Sequence, residues 1–403
     1  MRALVYRKSI PRYLLMRAGA KRVRNLETSR LSPLQLEEVP EPELPGPGWV
    51  RVRPLLAGIC GSDLGTLSSE NSPYFSPLTS PPFVMGHEIF GVVAGDGEGF
   101  RGGERVVLEP ALGCAARGID PPCARCAAGQ HALCVNVTRG SVSPGIQTGF
   151  CRDTGGGWCE GTLVAHRSQL HRVPDDLPDE AAVLLEPLAC AVHAALAARP
   201  GPKETVLVIG AGSIGLLTVA ALRALTGAER ILCAAKHPRQ REEALRLGAS
   251  EVIAPKELYE RLPGLLGASR HKPELGKPVV LGGADAVLDC VGSPGTMEDA
   301  VRLARPGGRA VLVGMPGARS CLDLSALWHK EVSLTGAYAY GTEEHRGERL
   351  KSFELALRLA PELELERLVG PRFCLADYRE AIAAARAAGR RGHVKVVFDH
   401  RVA

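Results

Sequence analysis

The chain has 403 residues, 45% hydrophobic and 23% charged, which excludes a disordered or fibrous protein and leaves room for about two or three globular domains. Its formal charge of +5, from 49 basic and 44 acidic residues, reads as spread too thinly for a nucleic-acid stripe or a membrane-binding patch, so neither partner is expected. No run approaches the roughly 18 apolar residues of a membrane-spanning helix, and basic residues interrupt the N-terminus where a secretory signal needs an apolar core, so the expected location is the cytoplasm.

Up to about residue 185 the chain is rich in Pro, Gly and short alternating runs such as Val50-Arg51-Val52-Arg53 and Arg105-Val106-Val107-Leu108, the pattern of half-buried strands joined by turns. Residues 181–199 are Ala-rich and predict a helix that ends or kinks at Pro187, a natural hinge between domains. After Pro202, apolar strands alternate with amphipathic helices through residue 254, a βαβαβ rhythm that predicts a parallel sheet. Residues 255–283 are less regular. The rhythm then resumes with a strand at 284–291, a helix at 296–304 and strands at 309–314 and 332–336. Two helices over 343–359 and 375–388, then a strand over 393–399, complete the expected elements.

Gly210-Ala211-Gly212-Ser213-Ile214-Gly215 follows the apolar run Val206–Ile209 and opens a helix, the setting a dinucleotide fingerprint requires. Gly210 permits the tight turn, Gly212 lets the backbone approach a pyrophosphate at the helix N-terminus, and Gly215 allows close packing of helix on strand. An NAD site would carry an acid about 20 residues on, but Ala235 stands there, followed by Lys236, His237, Arg239 and Arg241. Missing acid and local positive charge together predict NADP(H) in preference to NAD(H), against the blander reading of a solvated charged helix face.

Twelve cysteines are many for a reducing compartment, and Cys114, Cys123, Cys126 and Cys134 fall close together on a Gly- and Pro-rich loop. Four thiolates at that spacing suit a closed structural zinc, with buried free thiols as the alternative. Cys60, His87, Glu88 and Glu186 form a second, scattered set whose donors also suit zinc. Taken singly, each has an ordinary structural explanation, and spacing does not assemble them. Residues 66–83 form a long Pro- and Ser-rich segment in which Tyr74, Phe75 and Phe83 are candidates to line a pocket or to anchor a surface loop.

The succession Gly58-Ile59-Cys60-Gly61-Ser62-Asp63, Gly86-His87-Glu88, the four-cysteine lobe, Glu186-Pro187-Leu188 and the glycine fingerprint closely resembles the zinc-dependent medium-chain alcohol dehydrogenase superfamily, over residues 50 to about 340. Glu186 in its setting resembles the branch of polyol, threonine and sugar dehydrogenases. The resemblance implies an α/β protein. A GroES-like β-rich catalytic domain would occupy residues 1–187, with a structural-zinc lobe at about 110–140. A Rossmann domain with a doubly wound parallel sheet would occupy 188–338, and residues 339–403 would return to the catalytic domain. It further implies two zincs per chain, one catalytic, held by Cys60, His87 and Glu186, the last directly or through water, and one structural. Glu88 would lie beside the catalytic metal and exchange with it, Ser62 would be the proton-relay hydroxyl, and Asp63 would orient the histidine.

Two positions depart from the family pattern. Gly65 stands where many members carry a relay histidine, so the last proton step needs another group or water. Asp120 stands where the lobe usually has its first cysteine; Cys114 is the favoured substitute, with Asp120 as the alternative ligand. The expected activity is hydride transfer between an alcohol and NADP(H), giving an aldehyde or ketone, in a homo-oligomer (dimer or tetramer). The alternatives are a sugar, polyol or amino-alcohol dehydrogenase, a zinc-independent reductase of the same superfamily, and a non-catalytic zinc- and nucleotide-binding protein on the same scaffold.

Overall fold

The computed structural model describes residues 1–403 except 21, 24, 318–320 and 403. It divides into two compact units. One comprises Met1–Glu186, Tyr340–Thr342 and Phe353–Ala403, the other Pro187–Ala339 and Glu343–Ser352.

The spine of the first unit is the strand Trp49–Gly58, whose apolar positions are frequent enough to be buried on both faces. It pairs antiparallel with Ile89–Val93, Leu163–His166 and Lys395–Asp399 in a seven-stranded sheet that continues to Arg105–Leu108, Leu170–Arg172 and, beyond Lys395–Asp399, Val369–Phe373. A four-stranded sheet sets Arg2–Tyr6 against Leu34–Glu38, Phe83–Val84 and Cys159–Glu160. Its core joins Tyr6, Phe83, Phe150 and Trp158 to Tyr378, Ile382 and Phe398 from the end of the chain. A helix absent from the expected elements, Ile10–Gly19, interrupts the path between the first two strands.

The second unit has a six-stranded parallel sheet in the order Glu251–Ile253, Arg230–Ala234, Thr205–Ile209, Ala284–Asp289, Ala304–Leu312, Ser333–Gly336. That order reverses direction beside Thr205–Ile209, as a doubly wound dinucleotide-binding sheet does.

Several elements differ from expectation. Pro187 neither ends nor kinks a helix, because the helix Leu185–Ala197 starts two residues before it. Within the first turn a missing N–H removes no helical bond. Residues 343–351, expected as helix, form the paired strands Thr342–His345 and Glu348–Lys351, and the helix begins only at Ser352. Arg346 at φ 52° and Gly347 at φ 79° make the two-residue turn, whose left-handed backbone interrupts a helix and suits a hairpin. Tyr340–Thr342 and Phe353–Ala403 belong to the first unit, and the segment Glu343–Ser352 to the second. There Glu343 accepts from Ser352 Oγ (2.7 Å) and lies 2.7 Å from His193 Nδ1.

Candidate active site and metal centres

In the first unit Cys60 is the N-cap of the short helix Gly61–Leu67, and its backbone N–H donates to Asp63 Oδ2 at 2.9 Å. Asp63 is fully buried, and its other oxygen lies 3.3 Å from His87 Nδ1, near enough for attraction although off hydrogen-bond alignment. That placement turns Nδ1 toward the acid and leaves Nε2 as the available donor atom. Burial opposes a charge on His87, but Asp63 and the contacting Cys60 thiol outweigh it and hold the imidazole pKa well above its ordinary value. Gly86, at φ 95°, is required beside His87 because a side chain there would run into the Trp158 indole.

Glu88 is 1% exposed, and both its oxygens lie 2.6 Å from Lys395 Nζ, itself a buried group at the start of the last strand. Burial works against the ammonium, yet Glu88, Cys60 and Glu186 together raise the Lys395 pKa. Glu186, in the first turn of its helix, is also buried. The structure therefore gathers Cys60, His87, Glu88 and Glu186 in one neighbourhood and gives Glu88 a partner in Lys395. Ser62 is half-buried on the helix that Cys60 caps; its carbonyl accepts from Thr66 Oγ1 at 2.9 Å.

Among the described residues, Cys114, Cys123, Cys126 and Cys134 form the one group of three or more metal-ligating side chains whose donor atoms all lie within 4.8 Å of one another. The Cys60, His87 and Glu186 donors do not close to that distance. Asp120 is outside the sulfur cluster, so the geometry favours Cys114 between the two alternatives. Backbone N–H groups of Cys123 and Asn136 donate to the Cys114 and Cys134 sulfurs at 3.3 Å, and Asn136 Nδ2 donates to Cys114 Sγ at 3.4 Å, the contacts that thiolates need. Burial pushes the Cys126 and Cys134 thiols up, Cys134 to about 11; at Cys123 burial is outweighed by the N–H groups of Cys126 and Val135, and its pKa falls to about 6. Fully buried Arg117 ties the loop together, donating to the carbonyls of Leu112 (3.0 Å), Arg139 (2.9 Å) and Val142 (3.1 Å).

In the second unit Gly210, at φ 96°, turns the chain out of Thr205–Ile209, Gly212 caps the helix Ser213–Leu225, and a side chain at Gly215 would collide with the Gly210 carbonyl. Ser213 and Ile214 form the first turn. Ala235 is buried at the end of the second strand and Lys236 is exposed. Arg241 Nε donates to the Ala235 carbonyl at 3.2 Å, and His237 caps the next helix. Arg239 pairs with Glu243 at 2.7 Å along its own helix.

Comparisons with known proteins identify the family of both parts of the chain. Residues 46–175 match the alcohol dehydrogenase GroES-like domain and residues 213–354 the zinc-binding dehydrogenase domain. A sorbitol dehydrogenase from Arabidopsis thaliana is 30% identical over 319 residues, 78% of this chain and 79% of that protein. The chain belongs to the zinc-dependent medium-chain alcohol dehydrogenase superfamily, in its polyol dehydrogenase branch. A probable D-xylulose reductase A from Neosartorya fischeri is 29% identical over 78% of this chain and 81% of its own length. The solved structure of 2R,3R-butanediol dehydrogenase from Bacillus subtilis shares the fold, with a TM-score of 0.71 at 23% identity over 99% of both chains. The protein is an oxidoreductase acting on CH–OH donors, with a GroES-like and a Rossmann domain. Zinc and a nicotinamide cofactor accompany that membership.

Sequence reasoning missed three residues. Lys395 carried one signal, a lysine at the head of the apolar run Val396-Val397-Phe398. Phe150, with its ring centroid 5.8 Å from that of His87 and 5.3 Å from that of Phe83, carried none. Arg117 carried none either. Of the aromatic residues expected near the pocket, Phe83 is core, stacked on Tyr6 at 5.3 Å, while Tyr74 is 75% exposed.

Proposed function

We propose that the protein catalyses reversible hydride transfer between the carbinol carbon of a small alcohol and NADP(H), giving an aldehyde or ketone. The observation that carries this reading is the convergence of Cys60, Glu88 and Glu186, from separate stretches of the chain, on the buried Lys395 charge, with His87 held between Asp63 and Cys60. Lone acids and thiols buried together are costly unless a cation accompanies them. Lys395 balances Glu88, and the remaining thiolate, imidazole and carboxylate suit zinc.

Cys60, His87 and Glu186 would hold the catalytic zinc, which supplies a Lewis acid that acidifies a hydroxyl and polarises a carbonyl. Asp63 fixes the imidazole tautomer, and Lys395 keeps Glu88 in place. Ser62 takes the hydroxyl proton as its own passes on; with Gly65 where many members carry a relay histidine, the next acceptor is another group or water. Cys114, Cys123, Cys126 and Cys134 would hold a second, structural zinc with no open position. Gly210, Gly212, Ser213, Ile214 and Gly215 would seat the pyrophosphate, and Lys236, with His237 and Arg241 beside it, would favour the 2′-phosphate of NADP(H).

A second reading, a polyol or sugar alcohol as substrate, is supported by Glu186 and by the likeness to a D-xylulose reductase and a sorbitol dehydrogenase. None of the twelve cysteines is in a disulfide among the described residues, which supports a cytoplasmic location. Family resemblance supports a homo-oligomer. The test is metal content per chain, NADPH and NADH fluorescence titration, and turnover of an alcohol, polyol and sugar-alcohol panel. Two zincs, tighter NADPH and measurable turnover are expected. Full zinc and full turnover in Cys60→Ser would overturn the metal assignment, and cofactor binding with no turnover of any alcohol would leave a non-catalytic binder.

A further inference from the structure

The near balance of charge over the whole chain does not extend to its start. Residues 7–30 hold eight basic residues against a single acid, Glu27, a net of +7 where the whole chain has +5. The segment lies outside both stretches that match the family's domains, and its main element is the helix Ile10–Gly19.

That helix is oriented opposite to an ordinary surface helix. Met16 is fully buried and anchors it. On the other side Ile10, Leu14 and Ala18 repeat every four residues beside Pro11 and Leu15, so they share one continuous arc. The arc faces solvent: Ile10 is 73% exposed, Leu14 57% and Leu15 39%, and Pro11 and Ala18 are exposed as well. Val23, 52% exposed, and Leu31, 56% exposed, are further exposed apolar side chains in the segment that follows the helix. Basic groups border it: Lys8 before the helix, Arg17 on its flank and Arg22 beyond its end are all exposed, and Arg12 is half-buried on the far flank. Arg17 donates to Tyr13 at 2.9 Å and Arg12 to the Ser32 carbonyl at 3.2 Å, which fixes both beside the arc.

We propose that this face is a docking surface for an anionic lipid membrane, on which the helix lies in the interfacial plane. Ile10, Leu14 and Leu15 enter the acyl boundary while the arginines and lysine meet headgroup phosphates. The apolar arc selects a lipid over a nucleic acid, which offers no apolar phase to cover three large aliphatic side chains. The charge selects a lipid over a second copy of this chain, because two such faces would bring like charges together. This departs from the expectation of no membrane contact, and it invokes no spanning segment: among the described residues no helix is long and apolar enough to cross a bilayer.

The test is co-sedimentation of the full-length protein with large unilamellar vesicles of phosphatidylcholine alone or mixed with phosphatidylglycerol, at low and high salt. Binding to the mixed vesicles, roughly ten-fold weaker on neutral ones and falling with salt, is expected. Ile10→Ser/Leu14→Ser replaces exposed residues only, so it is expected to lose that binding about ten-fold while melting temperature and dehydrogenase turnover stay unchanged. Equal binding to neutral vesicles, or none to either, overturns the proposal. So does a double variant that binds vesicles like wild type, which leaves charge alone as the cause. A double variant that changes the mass of the oligomer overturns it in favour of a second copy as the occupant.

Discussion

Replacing Lys395 by Met keeps the length and apolar stem of the side chain and removes its charge. In the wild type Nζ sits 2.6 Å from both Glu88 oxygens, with the two side chains 4% and 1% exposed, so water does not screen the pair. Breaking a buried pair by removing one partner costs about 3–5 kcal/mol, because the other charge stays buried without compensation. A unit of 150–250 residues loses about 2–4 °C per kcal/mol, so thermal unfolding of zinc-loaded Lys395→Met is expected on the order of 10 °C below wild type. Removing both charges leaves neither ion stranded, so Lys395→Met/Glu88→Gln should recover at least 2 kcal/mol of that loss, roughly. Scanning calorimetry of the four proteins closes the cycle. A single variant within about 1 kcal/mol of wild type, or a double variant equal to the sum of the singles, refutes the claim that Lys395 is the counter-charge of this site.

Asp63→Asn should keep the fold and reduce zinc affinity or turnover about 10–100-fold, because an amide no longer fixes the His87 tautomer; metal titration and kcat measure it. Cys114→Ser should remove one zinc per chain and Asp120→Asn none, as read by elemental analysis. Lys236→Ala should weaken NADPH binding about ten-fold and leave NADH unchanged in fluorescence titration, since only NADPH brings the 2′-phosphate. The Asp399 and Glu180 carboxylates are both depressed despite partial burial, chiefly by Arg401, which lies 2.8 and 2.9 Å from them. Groups with lowered folded pKa values add stability above their unfolded values, near 3.8 and 4.5, and lose it as pH falls through the lower folded ones. The destabilisation of Arg401→Ala should therefore be full at pH 7 and shrink below about pH 4, followed by thermal unfolding.

Local signals in this chain were legible wherever the chemistry is local. The glycine fingerprint reports a turn and a helix start within six residues, and the parallel-sheet rhythm repeats inside a short window, so the cofactor unit could be read directly. The four-cysteine lobe was legible for the same reason, its sulfurs being neighbours in sequence as well as in space. Short-range reading failed where backbone geometry overrode propensity. Left-handed Arg346 and Gly347 turned an expected helix into paired strands, and Pro187 fell in the one turn of a helix that tolerates it.

The amino-acid sequence alone determined the fold class, the family, the cofactor loop and the donors that a zinc would want. Tertiary structure decided which of those donors meet, and with what counter-charge. Lys395 reaches Glu88 across 307 positions of sequence, a contact that depends on the last strand pairing with Trp49–Gly58 and that no spacing encodes. It also decided which face of the helix Ile10–Gly19 is covered. Periodicity marks an apolar arc but gives it no direction; the direction comes from Met16 finding the interior, which leaves Ile10 and Leu14 outside.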